Sequence, residues 1–129
     1  MSLDVADDLA ADVAAHGITD HKFVDVIRTS LPFGYAIIER VAARVSGGEE
    51  VAIDSPPTMA DTPRLELLRI MASTSMREAL ERFFGVTLAF QNCHGVAAAS
   101  GSGKTSRLWH DFTSTRGQIL AQRPGLRDC

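Results

Sequence analysis

Cysteine, aromatic residues and long apolar runs are all scarce in this chain, and each scarcity removes a class of protein. Only two cysteines occur, Cys93 and Cys129, too few for the disulfide framework of a small secreted domain. A reducing compartment is therefore expected, and the expected location is cytoplasmic. Aromatic residues make up 6% of the chain, with one tryptophan and one tyrosine. Sandwich strands draw on aromatic and β-branched residues, so this balance favours helix packing. No window reaches the roughly 20 apolar residues that span a bilayer, and no membrane partner is expected. The start, Met1-Ser2-Leu3-Asp4, has neither the basic nor the apolar region of a signal peptide, so export is not expected.

What the chain does contain is enough apolar material for one folded body. At 129 residues it is one domain long, and 45% hydrophobic against 22% charged residues lets burial offset ordering entropy. The net charge of −3 hides a segregation: six aspartates and one lysine lie between Met1 and Val26. By contrast, Ser100 to Cys129 carries Lys104, Arg107, Arg116, Arg123 and Arg127 against Asp111 and Asp128. A sparse basic tail on an acidic body repels as much phosphate as it attracts, so nucleic acid is not the expected partner.

Apolar spacing predicts a mainly α protein, a small bundle of about five helices. Leu3 to Ala15 carries Val5, Leu9 and Val13 on one face with alanines beside them, Ser2 as cap and aspartates at the positive end of the dipole. Thr19 caps a second helix that runs to about Thr29, with Ile18 and Phe23 as its staple. Pro32 opens a third, which ends at Gly47-Gly48, and Pro63 lies in the first turn of a fourth. Ser75 and Glu78 form a capping box for a fifth that ends at Gly85. The period then changes: Val86, Leu88 and Phe90 alternate with polar or small residues, as in one short β-strand or hairpin near the C-terminal end of the core. Its partner is either Val51 to Ile53 or the same strand of a second copy, a homodimer through strand 86–91. From Ala97 the residues are small and without a burial pattern, which predicts a helical core over residues 1–96 and a flexible basic tail over 97–129. Arg107 to Gln122 makes a weak helix at most, interrupted at Gly117.

Three segments carry residue types used in chemistry. Ala98 to Thr105 resembles a phosphate-binding loop, in which Gly101 and Gly103 would offer amides, Lys104 would meet the outer phosphates and Thr105 would reach magnesium. Alanine replaces the first glycine, and no parallel sheet is expected around it, so nucleotide binding stands as the alternative reading. Gln91, Asn92, Cys93 and His94 gather polar and reactive groups where the strand ends. Neighbouring strand residues face opposite ways, so His94 is badly placed to activate Cys93. Zinc held by Cys93, His94, His110 and Cys129 would lack the paired spacing of structural sites. Arg28, Thr29 and Ser30 precede Pro32 and either hold an anion or cap and steady the turn; the second reading is simpler. No catalytic residue, metal site or cofactor is assigned.

Met1 to Val5, Arg28 to Pro32 and the run from Phe84 to His94 together resemble a family of small conserved streptomycete, and so actinobacterial, proteins, over roughly Met1 to Val96. The resemblance implies a bacterial cytoplasmic setting and carries no activity, cofactor or site residue. The reading that remains is an accessory or regulatory protein, without enzymatic activity, whose partner is another protein.

Overall fold

The computed structural model describes residues 2–54, 60–92 and 94–122. Among these the chain forms seven helices and a three-stranded antiparallel sheet. The helices are α1 (Asp7–His16), α2 (Asp20–Ser30), α3 (Pro32–Ser46), α4 (Asp61–Ala72), α5 (Thr74–Phe84), α6 (Arg107–Thr113) and α7 (Thr115–Leu120). The strands are β1 (Val51–Asp54), β2 (Thr87–Gln91) and β3 (Gly95–Ala99). The mainly α class is as expected; the strands form a three-stranded sheet in place of a lone strand or hairpin, and two short helices follow it.

Local signals set most of the boundaries. Thr19 accepts the Lys22 amide at 3.4 Å and starts α2, and Pro32 stands at the first position of α3, where its missing N–H costs nothing. α5 ends on Gly85 in the left-handed conformation. Two caps differ from expectation. Ser73, not Ser75, accepts the Met76 amide at 3.3 Å and starts α5. α1 starts at Asp7 with Ala6 as its uncapped flank, so Ser2 caps nothing.

The centre of the sheet is the segment expected to be a tail. β3 lies between β1 and β2, with Val51 opposite Ala99 on one side and Thr87 opposite Ala99 on the other. All five of its residues are buried. The strand therefore runs through the boundary drawn at residue 96, and Val51 to Ile53 pairs with β3 instead of with β2. The outer edge of β2 carries no strand among the described residues. Alternation along β3 turns Val96 and Ala98 into the main core with Ile38, Val41, Leu67 and Leu80. Ala97 and Ala99 face the other way, toward the side on which α6 packs through Phe112. Sheet neighbours and a helix on each face thus leave β3 no contact with water.

Candidate functional site

The feature that the core leaves unfilled lies at the opposite end of the chain. α1 contributes no buried residue, although Leu9 and Val13 are turned inward and half-buried. Beside them stand Ala10 and Ala14, side chains that favour the helix but are too short to close the space beneath it. The result is an open apolar groove of about 590 Å³ between α1 and α2, floored by Phe23 and Val26, with Ser75 its one polar lining residue. Leu3 and Val5 form one end and Ile18 the other. Val5 and Ile18 remain 44% and 42% exposed, a pair of apolar side chains in water at either end of an apolar trough.

Few contacts hold α1 over this groove. The Asp4 amide donates to the Ser30 hydroxyl at 2.7 Å, and Lys22 meets Asp12 at 3.6 Å. Asp12 and the side chain of His16 also lie 3.2 Å apart. Exposed ion pairs of this kind contribute little each. A second, shallower cleft of about 350 Å³ flanks α1 on the side of Asp4, Lys22, Asp25 and Thr29. Of the turn residues singled out in the sequence, Arg28 pairs with Asp25, Ser30 pins the N-terminal segment, and Thr29 borders this cleft.

The polar cluster at the end of β2 acts as a clasp. Gln91 is buried and its amide donates to the Phe112 carbonyl at 2.8 Å. Asn92 takes a left-handed backbone, φ 49°, to turn the hairpin; its amide donates to the Gln118 carbonyl at 2.7 Å and its side-chain oxygen accepts from Gln122 at 3.2 Å. His94 is buried, with Nδ1 2.6 Å from the Asn92 carbonyl. These groups bind α6 and α7 to the sheet. Cys93 lies outside the described residues. No hydrogen bond joins the clasp to Arg28, Thr29 or Ser30 among the described residues.

The phosphate-loop resemblance meets a different geometry. A strand does precede it and α6 follows, but the sheet is antiparallel and a short 3-10 turn, Gly103–Thr105, intervenes. The Gly103 amide donates to the Ser100 hydroxyl at 3.1 Å and the Thr105 hydroxyl to the Ser102 carbonyl at 2.8 Å, so both groups have partners within the loop. A Cβ on Gly103 would lie 2.0 Å from the Glu50 carbonyl oxygen, so close packing against Glu50 accounts for glycine there. The Glu50 carboxylate also stands 3.5 Å from the Ser102 hydroxyl, a charge of the wrong sign for phosphate. Gly101 and Lys104 remain exposed.

The sequence reading missed two groups. The face of Val5, Leu9 and Val13 stays half-open, and the alanines beside it are the signal in the sequence for that. Glu66 is buried, and its carboxylate accepts the Phe33 and Gly34 amides at 2.7 and 3.0 Å, capping α3 from a different helix. No local pattern announces a cap supplied from 32 or 33 residues away.

Among the described residues no three His, Cys, Asp or Glu side chains converge as a metal would need, and no helix is long and apolar enough to cross a membrane. A KH-type family model described as NucS shadow ORF matches residues 1–129. No curated protein and no solved structure matches the chain.

Proposed function

The chain belongs to the NucS shadow ORF family, and we propose that it acts as an accessory or regulatory protein, without enzymatic activity, that binds another protein through the groove between α1 and α2. The family description names a reading frame and no activity, so the proposal rests on the molecule itself. The observation that carries it is the groove: about 590 Å³ of apolar space under a helix with no buried residue. Exposed apolar clefts of this kind mark interaction surfaces, because leaving them in water forgoes the stabilisation that a partner restores. The competing sites are weaker, since the amides and hydroxyls of the clasp and loop already serve the fold.

A photo-reactive residue at Val5, in the groove, should capture a partner protein in cells, whereas one at Leu108, 52% exposed on α6, should not. Equal capture at both positions would overturn the reading. So would a native mass showing a nucleotide, metal or other small molecule retained by the gently purified chain.

One observation favours a second reading. The name of the matching family model carries the letters KH, and a KH module clamps nucleic-acid backbone with a Gly-x-x-Gly loop; the segment joining α4 and α5 would be its counterpart. Here the junction reads Ala72-Ser73-Thr74-Ser75, with no glycine. Ser73 is engaged as a cap and Ser75 lines the groove floor. Oligonucleotide binding that persists at physiological salt and is lost with Arg69→Glu and Arg77→Glu would favour this reading over the first.

A further inference from the structure

β1 and β2 are the margins of the sheet, and no further strand pairs with either among the described residues. Val86 to Gln91 contains no charge and no proline, a composition that adds readily to another strand. The parity of the ladder identifies the outward groups. The Ser100 amide donates to the Glu50 carbonyl at 2.9 Å, so Ala52 and Asp54 bond to β3 while Val51 and Ile53 turn outward. Ala98, opposite Ala52, is thereby committed to β1, which turns its other neighbour, Leu88, outward together with Phe90.

On each edge a side chain from an adjacent helix takes one of these outward groups. Glu81, on α5, accepts the Leu88 amide at 2.9 Å. Arg44, on α3, donates to the Ile53 carbonyl at 3.1 Å and is steadied by Glu49 at 2.9 Å. A carboxylate only accepts hydrogen bonds and a guanidinium only donates them. Glu81 therefore stands where an incoming strand would place a carbonyl oxygen, and Arg44 where it would place an N–H, so each repels the group it excludes. We propose that Glu81 and Arg44 close the two edges of the sheet to strand addition by a second copy of the chain or by an extended peptide. On this proposal no homodimer forms through strand 86–91, and the groove between α1 and α2 has no part in the device.

The test is analytical ultracentrifugation of the full chain across the micromolar range, with amide exchange to locate any contact. Glu81→Ala frees the Leu88 amide and removes the charge. It should self-associate at least about tenfold more tightly than wild type, reversibly on dilution and with native circular dichroism. Arg44→Ala, at a side chain 46% exposed, opens the other edge with the core intact. The double variant, with two open edges, should grow beyond a dimer. In dilute Glu81→Ala the Leu88 amide should exchange at least about tenfold faster than in wild type and slow again as the variant associates. Folded Glu81→Ala and Arg44→Ala that associate no more tightly than wild type would overturn the proposal. So would a wild-type dimer whose formation slows exchange at Phe90, since the edge would then pair with its guard in place. Should Glu81→Ala fail to fold, Arg44→Ala and the wild-type exchange decide.

Discussion

Gly34 sits where α3 and α4 come closest, and a Cβ there would lie 2.7 Å from both the Glu66 carbonyl carbon and the Leu67 nitrogen. Those are backbone atoms of a packed helix and cannot swing aside. Gly34→Ala gains about 1 kcal/mol of helix propensity but meets an overpacking penalty of about 1–3 kcal/mol. The expected net result is a lower urea midpoint with an unchanged slope. The same contact involves Glu66, whose carboxylate satisfies two amides that α3 cannot satisfy internally. Glu66→Ala is expected to cost about 1–3 kcal/mol, and Glu66→Gln less, since its carbonyl oxygen still accepts. Equal losses for the two would show that packing, not capping, is the role of this side chain. Pro32 was legible in the sequence because a proline carries its conformation with it; Glu66 was not, because its function exists only once α4 lies beside α3.

At the scale of elements, α2 and α5 are held by apolar packing and by the two-point contact of Arg82 with Asp20, 2.7 and 2.9 Å. The Arg82 hydrogen bond holds the Asp20 carboxyl below its ordinary range, and Asp20 raises the guanidinium in turn. A carboxylate depressed in the folded state stabilises above its unfolded pKa, near 4, and loses that contribution as pH falls through the lower folded value. Acid melts should therefore show a step below about pH 4 that Asp20→Asn removes, with little difference between the variants at pH 7 and high salt. A step of the same size in Asp20→Asn would assign it to other carboxylates. The pair joins residues 62 apart, so it has no sequence signature. α2 itself was legible, because its cap, its staple and its stripe are all local. The last helical stretch was legible only in part: it breaks at Ser114, which caps α7 through the Gly117 amide at 2.9 Å. The break is thus a cap three residues before the glycine expected to cause it.

For the whole molecule, β3 is the element on which the sheet depends, since β1 and β2 touch it and not each other. A fragment of residues 1–96 should lose cooperative unfolding, because it lacks most of β3. A cooperative melt of 1–96 would show that the helices α2 to α5 stand without the sheet. The helical class, the starts of α2 and α3, the end of α5 and the strand character of β2 are legible locally, because they follow from caps, fixed dihedrals and hydrophobic period within a few residues. The central place of Gly95 to Ala99 in the sheet is set by long-range packing alone. A run of alanine before glycine and serine has no period of its own, and its burial comes from neighbours on four sides. The same holds for the groove: the sequence supplied an apolar stripe on α1, but whether a stripe closes depends on the distance to α2, and short alanine side chains left that distance unfilled.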